Sequence, residues 1–421
     1  MGRWRWLLPG LRLKRWVLVA CFGVVFVVIG AIFLGQALLP TPHVPSGPAG
    51  IRPQYSTVGW TLIGVGAVLL FTGVYRLVRT TEKLLRKNEK RGIAELAYDQ
   101  ARREVAPRAV CLGGGHGLAT LLEGLKTRPV GITAVVSMAD DGGSSGRLRK
   151  DFDILPPGDI RNCLVALADA GPVMQDLMQY RFSEGEFAGH SFGNLFIMVL
   201  SQIREDFGQA IRESNRILSV RGQVLPATLD RVGLVATHPD GSKSTGQRVI
   251  AQCGKAVDRL ELKPAGGRAP QDVLEVLASA DLIIYGPGSL YTSVLPPLLE
   301  DDVVRVLEQS NAIKILVVNT MTQPGETDGF TVADYLRAFA KHVPRVPVDA
   351  ILVNSYRPSA RKLKEYESRG VELTAYDRRE LADFQVRVFL RDVIDLDQLS
   401  RHAPDKLAGA IMEVYAQLRR P

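Results

Sequence analysis

The sequence predicts a Rossmann-like α/β domain with a doubly wound, mostly parallel sheet and a helical insertion, preceded by a two-helix transmembrane hairpin. Two long uncharged runs lie near the N-terminus. From residue 108 onward, short Val/Ile/Leu runs alternate with helical patterns. These runs are apolar throughout, which is typical of parallel strands covered on both faces. Several of them lead into polar, glycine-rich loops, where open α/β sheets bind ligands.

Charge divides the chain into three predicted parts: a membrane anchor (1–75), a juxtamembrane helix or linker (76–107) and the α/β domain (108–421). The formal net charge is +8, but residues 1–107 carry 15 basic and 5 acidic side chains, against 37 and 39 in the remainder. The basic excess therefore argues against nucleic acid as a partner of the main domain and favours contact with membrane lipid. The four cysteines lack metal-ligand spacing, which indicates a reducing compartment and no structural zinc.

The two uncharged runs, 16–42 and 53–75, are long enough to cross a bilayer, which takes about 20 apolar residues. Basic residues precede the first run and follow the second. The positive-inside rule then places both termini and the main domain in the cytoplasm, with a short loop (40–56) outside. A cleaved signal peptide is the rival interpretation, but the first run is too long for one and a second run follows. We therefore predict a cell-membrane protein with two spans.

Hydrophobic periodicity predicts the elements of the α/β domain. The predicted strands are 108–112, 130–137, 231–237, 280–285, 312–319 and 348–354. The predicted helices are 117–126, 161–170, 172–182, 191–204, 206–219, 297–310, 331–342, 358–369 and 404–419. The helices at about 150–225 form the insertion.

The first strand leads into a glycine loop that opens a helix. Its residues are Gly113, Gly114, Gly115, His116 and Gly117. Bare backbone and a helix N-terminus favour phosphate or nucleotide binding, and a purely structural turn is the alternative. Leu118 replaces the last glycine of a dinucleotide fingerprint, and the Lys-Ser/Thr pair of a P-loop is missing.

An acidic pair, Asp140 and Asp141, directly follows the second strand. Neighbouring side chains on a strand point in opposite directions, so we expect one carboxylate to enter the site, and we favour Asp141. It would hold Mg²⁺ beside a phosphate or act as a general base. A predicted anion-binding nest follows, with Arg147 as a phosphate ligand or, alternatively, a solvated charge. The nest comprises Gly142, Gly143, Ser144 and Ser145.

Two further helix starts supply candidate site residues. Asp159 is a candidate catalytic group or an N-cap, and Arg161 and Asn162 lie in the first turn of its helix, within reach of a ligand. At the second start, Ser191 is a predicted N-cap, while His190 and Asn194 are candidate ligand contacts.

Two more strands end in polar loops. The loop after 280–285 contributes the candidates Gly286, Gly288, Ser289 and Tyr291, and the loop after 312–319 contributes Asn319, Thr322 and Gln323. Four strands thus end in polar loops at one predicted sheet edge. This convergence predicts a ligand site more strongly than any single loop does.

These motifs closely resemble the gluconeogenesis factor family, the YvcK group of CofD-like proteins, over 108–421. The matching stretches are GGGHG, ADDGGSSGRLR, LPPGDIRNCLVALAD, GHSFGN, RGQVLPATL, GPGSLYTSVLP and MTQPGETDG. The family usually has Thr where this chain has His116. The resemblance implies binding of a UDP-activated sugar such as UDP-N-acetylglucosamine and a role in cell shape and envelope growth under gluconeogenic nutrition. It also implies sugar-nucleotide contacts at Tyr366 and Arg401.

More distant relatives in the same resemblance are 2-phospho-L-lactate transferases, which use Mg²⁺ and release GMP. A phospholactate transferase is therefore one alternative function, and an NAD(P)-binding protein is another. We expect a nucleotide or nucleotide-sugar ligand, with Mg²⁺ as the one candidate cofactor. Membrane lipid, an envelope-synthesis regulatory protein and a second copy of the chain are the expected partners.

Overall fold

A computed structural model describes residues 13–38, 51–85, 106–382 and 384–419. The chain divides into two units, Met1–Ala101 and Arg102–Pro421. The region 86–104, most of the predicted juxtamembrane helix, lies outside the described residues.

The N-terminal unit is a hairpin of two helices, α1 (Leu13–Leu38) and α2 (Ile51–Leu85). Within them, Trp16–Gly35 and Ser56–Arg79 are long and apolar enough to cross a membrane. Glycines spaced seven residues apart on α2, Gly59, Gly66 and Gly73, line the seam with α1. A Cβ atom added at Gly66 would lie 2.7 Å from the Gly23 carbonyl oxygen. These glycines therefore let the helices pack closely, whereas a Cβ atom added at Gly64 would meet open space.

The larger unit is built on a seven-stranded parallel sheet in the order β10-β9-β8-β7-β1-β2-β3. The strands of this sheet are β1 (Arg108–Gly113), β2 (Gly131–Val136), β3 (Gln223–Pro226), β7 (Leu282–Tyr285), β8 (Ile313–Val317), β9 (Ala350–Asn354) and β10 (Arg387–Arg391). Both faces are buried: Val110 and Leu112 of β1 pack into one apolar cluster, while Ala109 and Cys111 pack into the other. The predicted Rossmann-like class is confirmed.

Helices cover both faces and form the insertion between β2 and β3. The insertion contains α4 (Gly143–Phe152), α5 (Gly158–Leu167), α6 (Pro172–Gln179), α7 (Phe192–Arg204) and α8 (Phe207–Ile217). The other helices are α3 (Gly115–Lys126), α9 (Gln247–Gln252), α10 (Gln271–Ala278), α11 (Asp301–Gln309), α12 (Val332–His342), α13 (Ala360–Glu367) and α14 (Pro404–Leu418). The predicted cap of α7 is confirmed, because Ser191 Oγ accepts a hydrogen bond from the Asn194 amide at 3.3 Å.

The structure corrects three element predictions. The segment 231–237 does not join the main sheet. It forms β4 (Gly233–Thr237), the centre of an antiparallel sheet with β5 (Lys243–Thr245) and β6 (Arg259–Lys263). The predicted helix 297–310 begins only at Asp301, after a 3₁₀ turn at Pro296–Leu298. The nest after the second strand is the start of α4, because the glycines and serines of 142–146 continue into a charged helical sequence.

Candidate functional site

The candidate site lies at the carboxyl edge of the sheet, where the chain order reverses between β1 and β7. From β1 the chain continues to β2 and β3 on one side, and returns to β7 on the other side of β1. Such a switch point leaves a crevice beyond the strand ends. The loops after β1, β7 and β8 line a cleft of about 460 Å³, together with residues 400–402. Three of the four loops predicted to converge therefore meet here, while the loop after β2 does not line this space, which we call the switch-point cleft.

The first loop approaches its neighbours so closely that side chains would not fit. A Cβ atom at Gly114 would lie 2.6 Å from Asp159 Oδ2, and one at Gly117 would lie 2.7 Å from the Pro287 carbonyl oxygen. Gly115 has a φ of +65°, in the left-handed region that favours glycine. The loop thus presents bare backbone at the N-terminus of α3, where amide groups and the helix dipole favour an anion.

The second and third loops are joined by side chains at the cleft surface. Asn319 accepts a hydrogen bond from the Gly288 amide at 3.3 Å and donates to the Gly288 carbonyl at 2.8 Å. Ser289 Oγ donates to Gln323 Oε1 at 2.8 Å. Thr322 also lines the cleft, and its hydroxyl accepts a hydrogen bond from the Glu372 amide. These predicted residues are therefore brought together in one wall.

Glu326, beneath this wall, is a residue that the sequence reasoning missed. Its side chain is 3% exposed, and its Oε1 accepts hydrogen bonds from Thr292 Oγ1 at 2.8 Å and Gln323 Nε2 at 3.4 Å. Burial raises its pKa to about 6, against the hydrogen bonds that lower it. One carboxyl group thus ties the second loop to the third. Two acids, Glu326 and Asp328, in an otherwise uncharged loop were the available signal.

Asp140 and Asp159 form a carboxyl pair beside the first loop. Burial raises the pKa of Asp159 to about 7, and the charge of Asp140 adds to the shift. Burial likewise raises the pKa of Asp140, while bonds from the Gly142 amide and the Ser145 hydroxyl lower it. Asp159 lines the cleft and accepts a bond from the Gly115 amide, so it supports the glycine loop rather than capping its own helix.

The structure reverses the predicted orientations of the two adjacent aspartates. Asp141 turns away from the carboxyl pair and accepts a hydrogen bond from the Arg248 amide at 3.0 Å, at the start of α9. Asp141 therefore accepts a hydrogen bond from an N-terminal amide of α9 that has no partner within the helix. Asp140 is the aspartate that approaches Asp159. Because the two residues lie in a loop, strand alternation does not decide which one faces the cleft.

The serines at the start of α4 are closed off from the cleft, contrary to the prediction. Ser144 is bonded to His190 Nδ1 at 3.0 Å and accepts from Asn194 Nδ2 at 3.1 Å, and all three side chains are buried. Ser145 accepts from the Gly158 amide. Arg147 donates to the Ala188 carbonyl and lines a separate depression that includes Gly143 and Asp141.

Neither of the two tyrosines predicted as ligand contacts lines the cleft. Tyr291 is 2% exposed and packs in the core, edge-on to His342, which corrects its prediction as a ligand contact. The Tyr366 hydroxyl accepts a hydrogen bond from the Leu399 amide at 3.1 Å. Tyr366 therefore holds the segment that carries Arg401 into the cleft, and it does not itself line the cleft.

His402, also missed from the sequence, lies next to Arg401 at the cleft. The side chain is 5% exposed, and burial lowers its pKa to about 4, while a hydrogen bond with the Val318 backbone opposes the shift. Its Nε2 has no hydrogen-bond partner among the described residues. The imidazole is therefore neutral and can accept a hydrogen bond.

A second cavity, of about 480 Å³, adjoins the cleft and shares His116, Thr120 and Arg401 with it. Arg161 and Asn162 lie in this second cavity. Partial burial and the charges of Arg401 and Arg161 lower the pKa of His116, so this side chain is neutral near pH 7. The described residues contain no group of three or more His, Cys, Asp or Glu side chains suited to holding a metal ion.

Comparisons with known proteins agree with this architecture. The family model of the 2-phospho-L-lactate transferase CofD matches residues 109–394. A Bacillus subtilis protein named gluconeogenesis factor is 41% identical over 313 residues, covering 74% of this chain and 99% of its own length. A Nostoc relative named for the same factor is 42% identical over 426 residues, covering 99% of this chain and 93% of its own. Its alignment therefore includes the N-terminal hairpin.

A solved structure shows the same fold. The crystal structure of a UPF0052 family member from Bacillus halodurans superposes with a TM-score of 0.71 at 42% sequence identity. The match covers 73% of this chain and 99% of that one.

Proposed function

The chain belongs to the gluconeogenesis factor family of CofD-like proteins, and on that basis we propose that it is a membrane-tethered regulator that binds a nucleotide sugar. The ligand, of the UDP-N-acetylglucosamine type, occupies the switch-point cleft. The observation that carries the proposal is the meeting of three strand-end loops around bare glycine backbone at the start of α3.

The groups lining the cleft suit the parts of such a ligand. The amides at the start of α3 and the Arg401 guanidinium favour a diphosphate. The side chains of Ser289, Thr322 and Gln323 offer hydroxyl and amide groups to a sugar or a base. Neutral His402 accepts from an N–H or O–H donor. A cleft of about 460 Å³ is within the usual range for small-molecule sites.

Binding would be transmitted through loops that are already tied together. A ligand in the cleft touches the loops after β1, β7 and β8 and the 400–402 segment at once. Its occupancy therefore stabilises one arrangement of these loops, which an envelope-synthesis regulatory protein can recognise. The hairpin, with two helices apolar enough to span a bilayer, would hold this sensor at the inner face of the cell membrane. From there the protein would adjust cell shape and envelope growth under gluconeogenic conditions.

Calorimetric titration of UDP-N-acetylglucosamine into the full-length protein in detergent tests the proposal. We expect saturable binding that Arg401→Gln weakens by roughly tenfold or more, the usual effect of losing a charge-assisted bond. Arg357→Gln removes another exposed arginine of the same unit and is the matched control. No saturable heat, or equal binding by both variants, would contradict the proposal. Light scattering on the same sample checks the predicted homo-oligomer.

A phospholactate transferase is the second candidate, favoured by the carboxyl pair. Asp140 and Asp159, rather than Asp141, would hold Mg²⁺, because a cation offsets the cost of burial that raises both pKa values and the charge of Asp140 that adds to the shift of Asp159. The ion would supply charge neutralisation at a phosphate. Release of GMP from a guanylated phospholactate donor and a deazaflavin acceptor, abolished by Asp159→Asn, would support it. Turnover that persists in Asp159→Asn would remove this mechanism.

A further inference from the structure

The second cavity, here named the basic chamber, has a lining that differs from that of the cleft. Its α3 wall presents His116, Thr120, Glu123 and Lys126, which lie on one helical face because they are three or four residues apart. Helices α5 and α6 form the other walls, and Arg181 and Arg401 complete the lining. The described lining contains no Phe, Tyr or Trp side chain on which a nucleobase could stack.

The charges of the chamber are unbalanced. Four cationic side chains (Lys126, Arg161, Arg181 and Arg401) line it, against the single carboxylate of Glu123. Lys126 already pairs with Asp169 at 3.6 Å, outside the lining. The excess positive charge therefore resides on the three guanidinium groups.

In the described part of the chain, the hydrogen bonds of Arg161 and Arg181 go to neutral groups. Arg161 donates to Ser191 Oγ at 2.6 Å and Asn162 Oδ1 at 2.7 Å, and Arg181 donates to the Gly189 carbonyl at 2.6 Å. The Nε atom of Arg161 is buried with no partner in the described part of the chain.

The arginines also repel each other. After burial, the charge of Arg181 is the largest influence lowering the pKa of Arg161, ahead of the opposing effects of Asp159 and Asp140. Gathering like charges in a partly buried space is unfavourable unless an anion joins them. A negatively charged occupant would therefore stabilise this arrangement beyond what Asp159 and Asp140 provide.

We propose that the basic chamber binds a second ligand, distinct from the nucleotide sugar: a compact phosphorylated metabolite with at least two negative charges and no nucleobase. The chamber meets the switch-point cleft at His116, Thr120 and Arg401, so both ligands can be held side by side. The protein then responds to two metabolites. This inference does not depend on the identity of the cleft ligand.

Inorganic pyrophosphate is the probe, titrated calorimetrically into the full-length protein with and without saturating UDP-N-acetylglucosamine. With the nucleotide sugar saturating the cleft, we expect one pyrophosphate per chain; without it, the diphosphate-binding groups of the cleft can take up a second. Arg181→Gln should weaken pyrophosphate binding by roughly tenfold or more and leave the affinity for the nucleotide sugar within twofold. Arg181→Lys, which keeps the charge but not the planar fork, should show an intermediate loss. Arg357→Gln is the control for a general change of charge.

The outcomes separate this inference from the proposed function. Absence of pyrophosphate binding when the nucleotide sugar saturates the cleft, or equal pyrophosphate affinity in Arg181→Gln and Arg357→Gln, would overturn the second site. Pyrophosphate binding that depends on Arg181, in a protein that does not bind the nucleotide sugar, would uphold the chamber and refute the proposed function. Arg181 is exposed, and a matching thermal transition of Arg181→Gln and the parent chain confirms that the variant folds.

Discussion

Replacing Gly117 by alanine should force the first two loops of the cleft apart. The added Cβ atom would lie 2.7 Å from the Pro287 carbonyl oxygen, 2.9 Å from its carbon and 3.0 Å from Gly288 Cα, well inside the 3.4 Å at which ordinary contacts begin. All three atoms belong to the backbone, so rotation of a side chain cannot relieve the contact. One of the two strand-end loops must move.

The magnitude follows from two opposing effects. Inserting a methyl group into a closely packed contact costs about 1–3 kcal/mol. Alanine in the first turn of α3 regains up to about 1 kcal/mol of helix propensity. We therefore expect Gly117→Ala to lower the free energy of unfolding by about 1–2 kcal/mol. The loss of binding free energy for the nucleotide sugar should exceed this loss of stability, because the loops shift at the surface that contacts the ligand.

Gly171→Ala is the matched control. Gly171 has a φ of −59° and open space around its missing side chain. Alanine there should be neutral or stabilise by up to about 1 kcal/mol, through the unfolded chain. Urea unfolding should be followed by circular dichroism, since Trp4, Trp6, Trp16 and Trp60 all lie in the N-terminal unit and do not report on the domain. Equal midpoints and equal affinities for the two variants would refute the close approach of the loops.

Three further predictions concern other parts of the molecule. Because burial raises the pKa of Glu326 from 4.5 to about 6 in the folded state, its contribution to stability is fully present below pH 4.5 and is lost as the pH rises through 6. Urea titrations between pH 4.5 and 8 should show a fall in stability to which Glu326 contributes about 2 kcal/mol. The fall should be smaller by about that amount in Glu326→Gln, and an equal fall would count against burial as the cause. Tyr366→Phe removes the hydrogen bond to the Leu399 amide and should lower the free energy of unfolding by about 1 kcal/mol. Calorimetry should also show weaker nucleotide-sugar binding. Unchanged affinity would show that the Tyr366 hydroxyl does not position the 399–402 segment. In the hairpin, Gly66→Val should separate the helices at lower SDS content than Gly64→Val, measured by energy transfer between dyes on the two helices, and identical transitions would exclude the glycine seam as their contact.

Most of the main sheet could be predicted because its central strands are continuous apolar runs. Strand β1 is a continuous apolar run from Ala109 to Leu112 with both faces buried, and such a run is identifiable from the sequence alone. Strand β3 is four residues long and ends in Pro226, and β10 begins and ends with arginine. Such short or charged edge strands lack that signal, and they were missed. The strand β4 was recognised, but its sheet was wrong, since partners are set by tertiary pairing.

The site could be located from the sequence but not oriented. Glycine loops after β1 and β7 and the polar loop after β8 indicate the correct sheet edge. Whether Asp140 or Asp141 approaches Asp159 depends on where α9 begins, more than 100 residues away. Similarly, Ser144 was expected in an open nest, but distant partners on the α7 segment enclose it.

By itself, the sequence determined the fold class, the family, the two apolar helices and the edge of the sheet at which the loops meet. These follow from local composition, periodicity and motifs, which depend on neighbours along the chain. Only the tertiary structure decided that Glu326 joins two loops, that Tyr366 supports Arg401, and that three arginines from separate segments share one chamber. Burial and charge at these positions arise from residues far apart in sequence, so no local pattern contains them.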